Sequence, residues 1–421
     1  MVLRSSQPSV AAQNRSEFTC EPRGRFGTSK VSDTLEVSVA STERRAGIGT
    51  TYAVVLSLLV TGCASTQASS HRPGVGTWRE IPASPLTARI GAVTAWTGKE
   101  ALFLGGAIGA PCPPNADCAG PDETADGAAF DPAQGTWRRT ATAPATVRAY
   151  SSRVVIGDEV FLWGPHRLMS YNASSDAWTV HPASRPDLVG ADLATIDARV
   201  VGVRGERPPG AAPDQIYDPA TRTWLLLPQD LLGASFDRSV TATPLGLVLT
   251  GKTLVPQPGS DGPAVVRAEV LNMATMVWRQ LPDSDQLGGS GWAWTGTRMI
   301  DPSLGGEDGG EVNGYGRTVP HGGTLDPAAG KWGRLTDPPA QFTGGWPAFA
   351  LGGSLSATQG WIYDDSGPTW SKLSRPAAAP PAAGDAVWAG RRLIVVGGTD
   401  TSKGYTSAAL SKRAWMLTVP G

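Results

Sequence analysis

Over the greater part of the chain apolar residues come in short runs separated by turn formers. "RIGAVTAWTGKEALFLGG" (89–106) shows the pattern: an apolar run, a tight Thr-Gly turn, and a second apolar run that stops at Gly. "RAYSSRVVIGDEVFLWG" (148–164), "DRSVTATPLGLVLTG" (237–251) and "AGDAVWAGRRLIVVGG" (383–398) repeat it. No long window sustains apolar residues at i, i+3, i+4 and i+7, so the periodicity predicts strands and hairpins rather than amphipathic helices. Gly in these turns supplies positive φ without steric cost, as a two-residue hairpin requires.

A second phrase follows each hairpin. "FDPAQGTW" (130–137) returns as "YDPATRTW" (217–224) and "LDPAAGKW" (325–332), with looser copies "YNASSDAW" (171–178), "LNMATMVW" (271–278) and "YDDSGPTW" (363–370). The aromatic or Leu ends a third strand. Asp-Pro starts a turn, because Pro presets φ and Asp bonds the backbone beyond it. The fourth strand begins near the Trp, which is expected to pack between neighbouring sheets. With Trp78 added, these Trp recur at irregular intervals, as a constant unit with loop insertions would place them. Four antiparallel strands per repeat at such a period predict an all-β propeller.

"LFLGG" (102–106), "FDPAQGTW" and "LIVVGG" (393–398) resemble kelch-repeat propellers of the galactose oxidase type, in which apolar residues lead into Gly-Gly and a spaced aromatic and Trp follow. The resemblance spans 76–419. Blade two has Trp-Gly in place of Gly-Gly, blades three to five lack the pair, and blade six carries Gly352-Gly353 in its first turn. The chain opens with "GTWREIP" (76–82), a fourth strand without three predecessors, and closes with "RAWMLTVPG" (413–421), a third strand without a fourth. The N-terminal strand is therefore expected to complete the last blade and remove an open sheet edge. Seven blades follow: 83–141, 142–182, 183–228, 229–283, 284–336, 337–375, and 376–419 with 76–82. Six is the alternative if the short sixth repeat does not form a blade.

The N-terminal region breaks the pattern. "ERRAGIGTTYAVVLSLLVTGCAS" (43–65) has two Arg, a short apolar run and a small-residue site ending at Cys63, the layout of an export signal. "LVTGC" resembles the bacterial lipobox, which implies lipid attachment at Cys63 and a membrane-anchored protein of the cell envelope. Residues 39–62 read as the signal peptide, 63–75 as a tether and 76–421 as the propeller. Residues 1–38 are polar, with little periodicity, and read as a disordered extension or as sequence upstream of the true start.

Charge narrows the partners. A formal net charge of −1, with 17% charged residues, gives no basis for nucleic-acid binding. In an exported chain Cys112 and Cys118 are expected to form a local disulfide that stiffens a protruding loop. The long insertions (107–126, 205–213, 252–263, 302–320 and 399–412) share one face with the blade-to-blade loops, and a ligand site is expected there. Asp117, Asp122, Glu123 and Asp126, and Glu307, Asp308 and Glu311, lack the spacing of a dedicated calcium loop and read as solvated. Arg89, Arg148 and Arg238 are read as opening the first strands of blades one, two and four. There they either clamp an anion at the channel mouth or bond carbonyls between blades.

No cofactor or metal is expected. The copper radical oxidases need two Tyr, two His and a Cys, a set that His71, His166, His181 and His321 cannot be mapped onto. No nucleophile elbow, H-E-x-x-H or phosphate loop occurs either. The expectation is a monomeric, non-enzymatic binding module for a protein or glycan. A carbohydrate-active enzyme with its site on the same face is the alternative.

Overall fold

The computed structural model describes residues 75–109, 111, 122–253, 265–284, 291–302, 306–307, 318–319, 323–336 and 345–420. Among them strands dominate, with one short 3-10 turn, Tyr405–Ser407, and no α-helix. Seven antiparallel sheets form a seven-bladed β-propeller, six of them built from strands in sequence order and the seventh completed by the N-terminal strand. Blade one, for example, runs Val93–Trp96, Ala101–Leu104, Gly127–Asp131, Thr136–Arg139. Two-stranded ribbons (Ala107–Ile108 with Asp122–Glu123, and Gly306–Glu307 with Thr318–Val319) rise from the second-to-third loops of blades one and five.

The strands of a blade are apolar on both faces because both faces are covered. In Ala101–Leu104, Phe103 packs toward blade seven with Ile394 and Met416, while Leu102 and Leu104 pack toward blade two with Val160 and Leu162. Strand alternation therefore feeds two cores at once, and one apolar cluster fills each of the seven blade junctions.

The Asp-Pro-Trp phrase supplies both a turn and a bolt. Asp131 Oδ1 accepts from the amides of Ala133 at 2.8 Å and Gln134 at 3.1 Å, and Gly135 follows at φ 70°. Asn172, Asp218, Asn272 and Asp326 make the same pair of bonds in their repeats. The chain then returns, and Trp137 pairs across the strands with Phe130, their rings 4.9 Å apart. Its indole N–H reaches out of the blade to the Pro82 carbonyl at 2.7 Å.

That last bond recurs at every junction under one rule: the acceptor lies four residues beyond the Trp of the preceding repeat. Trp178 donates to Ala141, Trp224 to Pro182, Trp278 to Pro228, Trp332 to Pro282 and Trp370 to Thr336. Trp78 donates to Ser374 at 2.7 Å and completes the circle.

Ring closure takes the expected form. Trp78–Ile81 pairs with Ala414–Thr418, Trp78 opposite Leu417 and Ile81 opposite Ala414, as the outer strand of blade seven. Gly76 makes the approach feasible: at φ 102°, a Cβ there would lie 2.1 Å from the Thr418 carbonyl oxygen.

Candidate functional site

The first strands of the blades stand around the central channel, Val93–Trp96 lying beside both Ala382–Ala389 and Arg153–Ile156. Asp192 and Asp385 share a register position in blades three and seven, four residues before the first hairpin closes at Ile196 and Ala389. Ser152, Ser239 and Ala92 hold that position in blades two, four and one. Asp192 ties three blades together. Its Oδ1 accepts from Ser152 Oγ at 2.8 Å and the Leu193 amide at 3.0 Å, and its Oδ2 from Ser239 Oγ at 2.9 Å and the Val240 amide at 3.1 Å. Asp385 ties blade seven to blade one by accepting the Gly91 and Ala92 amides, each at 2.9 Å. Burial pushes the Asp385 carboxyl up to about 7, against the opposing pull of those amides and of Arg89.

Arg153, one residue further along, enters the channel. Its Nε donates to the Thr94 carbonyl at 2.7 Å, and its terminal nitrogens have no protein partner among the described residues. Its side chain is exposed to the channel, where the crowding of protein atoms around it holds its pKa below the usual arginine value and the Asp192 charge works in the opposite direction.

Above Arg153 a cavity of about 610 Å³ opens among blades one, two, six and seven. Its wall includes Asp385, Ser151, Thr399, Thr401 and the aromatic side chains of Tyr150, Phe349 and Tyr405. These aromatics are 74%, 54% and 37% exposed, so three large apolar side chains that face solvent share one cavity. Tyr150 has a left-handed backbone, φ 57°, rare for a bulky residue. Its amide donates to the Gly91 carbonyl at 2.9 Å, and its ring covers Gly91, where a Cβ would come within 2.8 Å of ring carbon. A second cavity of about 430 Å³ continues down the channel, and Arg153, Ala350 and Leu351 line both, marking the waist between them. The mouth draws on the 107–126 and 399–412 insertions through Pro111, Thr399, Thr401 and Tyr405, on the face where the long loops gather.

The three arginines singled out in the sequence do not meet. Their strand placement is corrected by the structure: the first strands of blades one and two begin at Val93 and Arg153, and Arg238 lies inside Ser235–Thr243, at a register shift. Arg89 is buried beneath the loops. It donates to the Thr87 and Gly105 carbonyls at 2.9 Å, to Thr124 at 2.8 Å, and to both oxygens of Asp126 at 2.7 and 3.1 Å. Arg238 is buried with Asp214 and Asp230, each at 2.9 Å, and donates to the Arg204 carbonyl. Arg207 pairs with the same Asp230. Arg148 is exposed, lies against Gly190 and has no side-chain hydrogen bond among the described residues.

Of the acidic loop residues, Asp126 holds Arg89 and Glu123 accepts the Ala149 amide at 2.9 Å. Cys63, Cys112 and Cys118 lie outside the described residues, as do Asp117, Asp308 and Glu311.

Ser, His and Glu do come together, but not as a catalytic set. Ser170 sits between Glu159 and His181, bonding the His ring nitrogen at 2.7 Å, and the other ring nitrogen meets the Tyr217 hydroxyl at 2.9 Å. Ser170 and His181 are buried, and neither lines the mouth or the lower channel. Burial depresses the imidazole to about 4, so it stays neutral and holds blades two and three together.

Sequence reasoning passed over Arg153, Asp385, Tyr150, Phe349 and Tyr405. Counting back four residues from the close of each first hairpin picks out Asp385 and Asp192, and one residue further along in blade two gives Arg153. The aromatics sit on connections whose length varies between repeats, and no period marks them. In comparisons with known proteins, no protein-family model matches the chain and no curated protein matches its sequence.

Proposed function

We propose that this protein is a binding module of the kelch-repeat class, lipid-anchored at the cell envelope through Cys63, that takes a protein or glycan ligand at the channel mouth. The observation that carries the reading is the joint exposure of Tyr150, Phe349 and Tyr405 around one cavity whose polar wall includes Arg153 and Asp385. Solvent-facing aromatics beside a few convergent polar groups are what a recognition site requires. Tyr150 keeps an unfavourable left-handed backbone, with its ring standing over Gly91 at the cavity wall. The "LVTGC" lipobox supports the address. The test is retention of isolated cell envelopes by the purified propeller: Tyr150→Ala with Phe349→Ala should abolish it without lowering the melting temperature. Unchanged retention would remove the site.

One feature favours the enzymatic alternative. Asp385 presents a carboxyl with a pKa near neutrality to the same cavity, as an acid–base group would. On that reading Asp385→Asn abolishes turnover of a bound saccharide and leaves its affinity intact.

A further inference from the structure

Arg153 differs from Arg89, Arg238 and Arg298, which are paired with carboxylates at 2.7, 2.9 and 2.6 Å. Arg153 makes no ion pair among the described residues. Asp192 is near enough to act on its charge, but each Asp192 oxygen already accepts two donors from blades two to four. Both Asp385 oxygens are likewise taken by backbone amides. Arg153 is exposed to the solvent of the channel, so its guanidinium stands there without a counter-charge and is open to an anionic partner.

The Nε bond to the Thr94 carbonyl holds the planar head where the two cavities meet and leaves its two terminal nitrogens without a protein partner among the described residues. That fork matches the two oxygens of a carboxylate. Above it, Thr401 offers a hydroxyl, and the Tyr150 and Phe349 rings offer apolar surface against which the C–H side of a sugar ring packs. The volume, about 610 Å³, suits one or two sugar rings.

We infer that the channel mouth is an acidic-saccharide site, in which Arg153 binds the carboxylate of a uronic or sialic acid residue while Tyr150 and Phe349 hold its ring. The inference rests on the mouth being the recognition site and adds the chemistry of what is recognised. Arg148, exposed on the loop before Tyr150, adds positive charge near the entrance.

The probes are immobilised oligosaccharides bearing uronate or sialate, and the same oligosaccharides after reduction of the carboxyl to an alcohol. The wild-type chain should bind an acidic form at least tenfold more tightly than its reduced form. Arg153→Gln should bind both forms equally and weakly, and Arg153→Lys should recover part of the preference. Melting temperatures of both variants separate loss of the site from loss of the fold, and Lys, which keeps the charge, remains informative if Gln unfolds. Equal wild-type binding to acidic and reduced forms overturns the inference. So does an Arg153→Gln variant that keeps the preference, or a wild-type chain that retains no acidic saccharide. Tyr150→Ala distinguishes the two levels: if it abolishes binding that Arg153 does not affect, the mouth stands as the site and the acidic class falls. If neither substitution alters saccharide binding, the mouth falls as well.

Discussion

Replacing Trp78 with Ala tests whether one short N-terminal strand closes the whole ring. Three contributions are lost together. The indole bond to the Ser374 carbonyl, at 2.7 Å, contributes roughly 1 kcal/mol net. The edge-to-face contact with Trp346, centroids 5.4 Å apart, contributes about 1 kcal/mol. Trp78 also packs against the cluster between blades six and seven, and uncovering roughly 100 Å² of apolar surface there costs about 2.5 kcal/mol. The sum is about 4.5 kcal/mol. With roughly 2.1 cal/mol/K of unfolding entropy per residue over a domain of this size, the midpoint should fall by roughly 6 °C. Trp78→Phe keeps most of the packing and loses the hydrogen bond, so it should lie nearer the wild type, about 1 to 2 kcal/mol down. Differential scanning calorimetry of the three proteins reads this directly. A Trp78→Ala variant that melts with the wild type would show that the strand does not close the ring in solution.

Three further outcomes are expected. Burial pushes Glu269 up to about 7, with Asp230 adding to the rise and the Leu231 amide, Arg238 and Arg207 opposing it. The folded chain therefore holds a proton that the unfolded chain releases above pH 4.5. This contribution favours folding at low pH and is lost as pH rises from 4.5 to 7, by about 3 kcal/mol. Glu269→Gln should gain that much on the wild type between pH 4.5 and 7.5 in urea unfolding, and parallel pH profiles would contradict it. Arg238→Ala should cost about 3 kcal/mol by emptying a buried site and leaving Asp230 to Arg207 and Asp214 to Arg204 alone, whereas Arg148→Ala should stay within about 0.5 kcal/mol; equal losses would refute the assignment of one as buried and the other as free. Cys63→Ser should move the protein from the membrane to the soluble fraction, and a variant retained on the membrane would end the lipoprotein reading.

The architecture was legible because it is repeated. A phrase such as "FDPAQGTW" performs one task six times, and the indole bond from Trp137 to Pro82 has the same cause as that from Trp332 to Pro282. The unpaired fourth strand "GTWREIP" foretold closure for the same reason, since a blade lacking a strand leaves an edge that only this segment fits. The site was not legible, because it is built where the repeats differ. Arg153 and Arg148 lie in one six-residue stretch, "RAYSSR", and only the strand register shows that the second enters the channel while the first stays on the loop. Tyr150, Phe349 and Tyr405 come from three connections of unrelated sequence, brought together by the curvature of the ring. Arg89 illustrates the converse: an arginine near a strand start resembles a ligand clamp until Asp126, across a long insertion, is seen to occupy it.

The central claim is that recognition occurs at the channel mouth, and site-specific photocrosslinking tests it most directly. A benzophenone amino acid is placed at Tyr150 or Phe349 in the mouth, or at Leu245 in the first hairpin turn of blade four on the opposite face, where the native side chain is also exposed. Irradiation on isolated cell envelopes should give covalent adducts from positions 150 and 349 and none from 245. Adducts from 245 alone, or from none of the three, would contradict the account.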